Sequence, residues 1–213
     1  MLKTLEEPPK NSYFILITSS PDQLLPTVLS RCQQVRFNLL SATEIETALE
    51  KWADLEEKER IFIAGLAQGS LRRALELTGE DLKSLKQHAV DLLRTAFKNP
   101  SQRAAYAQEL ARQVDRRYLK EVLENLILWL RDAFHISLLG EEQAQKYLAN
   151  VDDLETLSRF VNNFPRFNYD QAIQEIDRSV NMLDRYVQPL LVLSVLLKIL
   201  GQCGRGQVQE KAA

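Results

Sequence analysis

Apolar and polar positions change their period near residue 40. Before it, YFILIT (13–18) is an unbroken apolar run with β-branched and aromatic side chains, bounded on both sides by turn residues. Such a run reads as a buried strand, of the kind found in parallel sheets. QQVRFNLL (33–40) alternates Val35, Phe37 and Leu39 with Gln34, Arg36 and Asn38, which predicts a strand with one buried face. Between them SSPDQ is a turn, and 24–30 predicts one or two helical turns with Pro26 near the start, where proline is tolerated. The opening MLKTLEE reads as the end of a helix that Pro8 and Pro9 cannot continue.

After Leu40 the period becomes helical. Ser41 and Thr43 are candidate N-caps for a helix reaching about Trp52. A second helix is expected over 57–68, ended by Gly69, and Ser70 can cap a third, LRRALELTG. Leu119, Val122, Leu123, Leu126, Leu130, Ala133 and Phe134 recur at helical spacing. Leu128 and Trp129 lie off that stripe, and a second apolar face predicts burial on two sides. Further helices are expected at 83–97, 101–113, 141–148, 152–162 and 169–200, the last broken near Pro189. The tail GQCGRGQVQEKAA is expected to be disordered. The fold class is therefore mainly α, with a small α/β piece at the front. Two strands and two helical pieces cannot build a covered parallel sheet alone. The expectation is that the missing strands lie upstream or come from another chain.

Composition narrows the function classes. The chain has 213 residues, 45% hydrophobic and 26% charged, with a net charge of −2. That balance gives no overall basic footprint for nucleic acid. Cys32 and Cys203 are too few for a disulfide framework or a zinc site, and suit a reducing, cytoplasmic setting. The start lacks the apolar core of a signal peptide. The most apolar run, LLVLSVLL (190–197), is far shorter than the roughly 20 residues of a membrane span. His88 and His135 stand alone and read as packing or surface residues, so no metal site is expected.

LKTLEEPP, YFILITSS and SRCQQVRF together resemble the bacterial DNA polymerase III clamp loader subunits, the delta-prime subunit first and gamma/tau next. Residues 1–40 are similar to the end of their AAA+ ATPase module, YFILITSS to its sensor 1 strand and Ser30-Arg31-Cys32 to its SRC motif. GSLRRAL (69–75) resembles the start of the sensor 2 helix in a lid domain over 41–79. NMLDRYVQPLLVLSVLLKIL (181–200) looks like the last helix of an oligomerisation collar over 80–201, leaving 202–213 as tail.

Each motif also has a plain reading. Arg31 could be a cation at a helix C-terminus, worth about 0.3–1 kcal/mol through the helix dipole. The resemblance implies instead an arginine reaching the nucleotide site of a neighbouring subunit. A guanidinium forks onto phosphate oxygens, and a finger supplied in trans can be worth about 10³–10⁵ in rate. Cys32 reads as a small buried packing residue. Arg72 and Arg73 fall in the first turn of their helix, where the dipole disfavours cations, so a compensating anion is expected. It could be a phosphate, or a carboxylate such as Glu76. The resemblance implies that Arg72, not Arg73, meets the phosphate. Thr18 and Ser19 end the sensor 1 strand, where ligands approach parallel sheets; a plain turn before Pro21 is the alternative.

A phosphate loop requires G-x-x-x-x-G-K-[ST]. Gly201 and Gly206 have the spacing, but Gln207 and Val208 follow. The sequence therefore predicts no nucleotide cofactor for this chain alone, and no complete active site. The resemblance implies ATP and magnesium in an intact complex within the DNA polymerase III holoenzyme. It also implies other loader subunits as partners, with the sliding clamp and primed DNA reached through the complex, and no membrane. The alternatives are a helical interaction module without an ATPase role, or a piece of another AAA+ ATPase.

Overall fold

The structure, a computed structural model, describes residues 9–18, 21–79 and 81–204. The chain divides into two compact units, with the boundary between Leu39 and Leu40. Among the described residues the fold is mainly helical, as the sequence predicts, and it contains no strand.

In the first unit a 3₁₀ turn at Pro21–Gln23 precedes α1 (Pro26–Leu29). Pro26 sits in the first turn of α1, where its missing N–H is harmless. The two expected strands do not form. Segments 13–18 and 33–40 carry no ladder, and their apolar side chains stand in solvent, Tyr13 at 94%, Ile17 at 93% and Phe37 at 92% exposure. A strand is stable only when its backbone groups find a partner strand. The pattern records which residues suit a sheet, but among the described residues no segment pairs with either. The helix end expected within the first residues falls largely outside the described positions. The visible part is a turn closed by Ser12 N–H donating to the Pro9 carbonyl at 3.2 Å.

The second unit begins with three short helices, α2 (Ala42–Trp52), α3 (Glu57–Leu66) and α4 (Leu71–Leu77). Ser41, rather than Thr43, caps α2. Its hydroxyl accepts from Glu44 N–H while Glu44 accepts from Ser41 N–H at 2.8 Å, a reciprocal capping box. The α3 helix stops because Gln68 and Gly69 take positive φ, 50° and 84°, and Ser70 then caps α4.

Seven helices follow: α5 (Leu82–Ala96), α6 (Pro100–Gln113), α7 (Arg116–Leu139), α8 (Glu141–Ala144), α9 (Leu154–Asn163), α10 (Tyr169–Asp184) and α11 (Pro189–Cys203). The α7 helix is the axis. It packs against α3, α5, α8, α9 and α10, which explains its two apolar faces. Trp129, off the main stripe, is 2% exposed and meets the Phe160 ring edge-on at 5.2 Å. The break before Pro189 is real and two-part: α10 ends at Asp184, and Arg116 Nη1 donates to the carbonyls of Leu183 and Val187 at 2.7 and 2.9 Å. That bond pair fixes the turn from which α11 departs. The expected disordered tail starts too early. The α11 helix runs through Gln202 and Cys203, because Cys203 is buried and its carbonyl accepts from Asn168 N–H at 3.2 Å. Residues from 205 on lie outside the described positions.

Candidate functional site

Arg31 follows the single turn of α1. Arg31 N–H donates to the Val28 carbonyl at 3.1 Å, and Ser30 Oγ donates to the Thr27 carbonyl at 3.3 Å. The Arg31 guanidinium is exposed and donates through Nη1 to the Thr27 carbonyl at 3.0 Å. This is the helix-end contact of the plain reading. The same Nη1 lies 3.5 Å from Ser30 Oγ. Cys32 is a free thiol and partly exposed, not buried as expected; among the described residues no strand forms to cover it. Thr18 is exposed; Ser19 lies outside the described residues.

Arg72 and Arg73 begin α4 and diverge. Ser70 Oγ accepts from Arg73 N–H at 3.3 Å, which places Arg73 three residues into the turn. Arg73 then forms an ion pair with Glu124 of α7, the two side chains 26% and 13% exposed. Arg72 points outward, 89% exposed, with Nε 3.0 Å from Glu76 Oε1. An exposed i, i+4 pair of this kind contributes about 0.3–0.5 kcal/mol. The compensating anions demanded by the helix dipole are thus carboxylates of the chain itself. Arg72 is held lightly, Arg73 firmly.

The last helix has two sides. Val192, Leu193, Leu196, Leu197 and Leu200 are buried, at most 3% exposed. Leu191 and Val195, one turn apart, are each 57% exposed, and Leu190 is 39% exposed. Ser194 turns its hydroxyl onto the Leu190 carbonyl at 2.7 Å, so its polar group is consumed locally. The outward strip is therefore more apolar than its composition suggests.

Two constellations escaped the sequence reading. The first is buried. Asp132 on α7 is 2% exposed, and its carboxylate accepts from Asn150 N–H and Asn150 Nδ2, both at 2.8 Å, and from Ala149 N–H at 3.2 Å. Burial raises its pKa above the usual carboxylate range, against those hydrogen bonds and the neighbouring His135, which lower it. An acid inside the apolar stretch LWLRDAF was the available signal. The second is a groove of about 410 Å³ between α3, α5 and the 3₁₀ turn Val151–Asp153. There Lys86 Nζ lies 2.7 and 2.9 Å from the two Asp152 oxygens and 4.2 Å above the Phe62 ring. Burial, with the adjacent Asp152 charge, pushes the Asp153 pKa up. Lys86 and Asp152 are 66 residues apart, so no local pattern announces them.

His88 packs its Nδ1 3.0 Å from the Tyr118 hydroxyl. Among the described residues no group of three His, Cys, Asp or Glu side chains could hold a metal ion. No helix there is long and apolar enough to cross a membrane.

The family described as DNA polymerase III, delta subunit, matches residues 1–41, the segment that holds Ser30-Arg31-Cys32. The chain is 39% identical over 89 residues to the DNA polymerase III subunit tau of Escherichia coli, across 39% of this chain and 14% of that protein. It is 31% identical over 135 residues to the tau subunit of Bacillus subtilis, across 59% of this chain and 23% of that protein. It is 35% identical over 100 residues to the DNA polymerase III subunit gamma of Buchnera aphidicola from Schizaphis graminum, across 45% of this chain and 27% of that protein. The chain thus spans little more than a quarter, at most, of the relatives it matches here. The named relatives carry tau and gamma, where the sequence reading had put delta-prime first.

Proposed function

We propose that this chain is part of a DNA polymerase III clamp loader subunit, delta-prime-like in role, which assembles through α11 and lends Arg31 to the nucleotide site of a neighbour. The observation that supports the reading is the match of residues 1–41, which include Ser30, Arg31 and Cys32, to the family described as DNA polymerase III, delta subunit. Residues 1–40 act as the end of an AAA+ module, 41–79 as its lid and 80–201 as the collar. ATP and magnesium belong to the assembled complex, with Thr18 and Ser19 as sensor 1 and Arg72 as sensor 2. The complex places the sliding clamp on primed DNA in the cytoplasm.

The chemistry asked of Arg31 is modest. It must fork onto phosphoryl oxygens as negative charge develops there. Its exposure supports that role. Arg72 is likewise exposed, with Glu76 as a carboxylate partner.

The test is made in the assembled loader. Arg31→Ala is expected to leave the thermal stability of this chain within about 0.5 kcal/mol, as for most surface changes. It is expected to cut clamp-stimulated ATP hydrolysis by at least about tenfold, a threshold set well below the about 10³–10⁵ that an arginine finger can supply. Arg31→Lys should recover little, because an ammonium lacks the planar fork. Normal hydrolysis by an assembled Arg31→Ala loader would leave the chain as a helical interaction module instead.

A further inference from the structure

Three side-chain arrangements tie the small helices α2–α4 to the long-helix bundle, and they come from different elements. The first is α3. Phe62, Ile63, Ala64 and Leu66 are all at most 3% exposed, so the second half of this helix is almost wholly buried. It packs on α2 and α4 on one side and on α7 on the other. At the crossing, a Cβ placed on Gly65 would come within 3.0 Å of Ala149 Cβ and 3.3 Å of Leu128. The helix backbone at Gly65 is thus pressed directly onto the Ala149 and Leu128 side chains, which leaves little room to slide. The second tie is the pair Arg73–Glu124, which joins the first turn of α4 to the middle of α7 with both side chains largely shielded. The third is Lys86 of α5, whose ammonium sits over the Phe62 ring of α3 while bonded to both oxygens of Asp152. The partner surface is itself rigid, because Asp132 on α7 holds the backbone of Ala149 and Asn150.

We infer that the small helical group and the long-helix bundle form one mechanical body, locked by Arg73–Glu124 and by Lys86 between Phe62 and Asp152 on either flank of the Gly65 crossing. No swivel operates between the two groups of helices. A displacement imposed on the start of α4 is therefore delivered to α11 without loss. The inference stands on packing and charge, and it is independent of the clamp loader reading.

Spin labels placed through Glu50→Cys on α2 and Arg112→Cys on α6, in a Cys32→Ser background, report the separation of the two parts in the full chain. Both positions are exposed, and the remaining Cys203 is buried. The unmodified body is expected to give one narrow distance distribution. Combining Arg73→Gln with Lys86→Gln should broaden it into several populations while the helical circular dichroism is retained. Reversing the first pair, Arg73→Glu with Glu124→Arg and native Lys86, should keep the distribution narrow. A broad or two-peaked distribution in the unmodified chain overturns the inference. So does an unchanged distribution in the doubly neutralised chain. Should that double variant lose its helical signal, the narrow or broad result for the unmodified chain and for the reversed pair still decides.

Discussion

Asp132 shows how a residue can be decisive without announcing itself. Its carboxylate accepts from both the Ala149 and Asn150 amides, and that loop lies against Gly65. Asp132→Asn keeps one acceptor oxygen and loses the other, leaving a buried amide underserved. The expected cost is about 1–3 kcal/mol in urea unfolding, the usual range for a stranded buried donor. The pH dependence has a definite sign. Burial raises the folded pKa, so the folded protein holds the Asp132 proton more tightly than the unfolded chain. The contribution of this group to stability is therefore fullest below the ordinary carboxylate range and declines as pH rises through the raised value. The loss caused by Asp132→Asn should be larger near pH 4 than near pH 7. A loss that grows with pH would show that the hydrogen bonds, not burial, dominate. Cys203 behaves in the same sense: burial pushes its thiol up to about 11, so it stays an inert packing group.

At the scale of elements, α11 carries the clearest division of labour. Its inner side is set by a close approach: a Cβ on Gly201 would lie 2.4 Å from the Ala96 carbonyl oxygen at the end of α5. Backbone cannot yield there as a flexible side chain would. Gly201→Ala should destabilise the chain by about 1–3 kcal/mol, typical of overpacking, read as a lower melting temperature. Its outer side is Leu191 and Val195. Leu191→Asp or Val195→Asp should leave the isolated chain folded, with its circular dichroism and melting little changed, and should abolish co-purification with partner subunits. Leu193→Asp, at 0% exposure, should unfold it, since an isolated buried charge is costly. If the outer substitutions unfold the chain as the inner one does, α11 is core alone and the collar role fails. The sequence read the break near Pro189 and the apolar character of more than one face of this helix, but ended it short of Cys203. Which of its leucines faced outward needed the crossing with α5, α6 and α10.

For the whole molecule, the two units differ in kind. From Leu40 onward a continuous core runs from Ile45 through Leu126 to Leu200. In the first unit the side chains of Tyr13, Ile15, Phe37 and Leu39 meet water, between 77% and 94% exposed. Apolar surface of that extent marks a site of association or of missing cover. The sequence also lacks the glycine-lysine loop that cradles phosphates. Titration of ATP into the isolated chain in a calorimeter is therefore expected to show no binding in the micromolar range. Micromolar binding by this chain alone would contradict the assignment of its arginines to a site completed elsewhere.

What the sequence determined by itself is the helical body. Caps at Ser41 and Ser70, the glycine stop at Gly69, Pro26 in a first turn, the break near Pro189 and the stripe along α7 are local signals. They rest on backbone geometry within a few residues. The same local rules named two strands that do not form, because a strand is a relation between segments and the pattern describes only one of them. Tertiary structure alone decided the partners: Glu124 for Arg73, Asp152 for Lys86, Asn150 for Asp132, the Leu183 and Val187 carbonyls for Arg116. All but Asn150 are 40 or more residues from their partner, and charge at that range is matched by how helices cross, which no periodicity along the chain encodes.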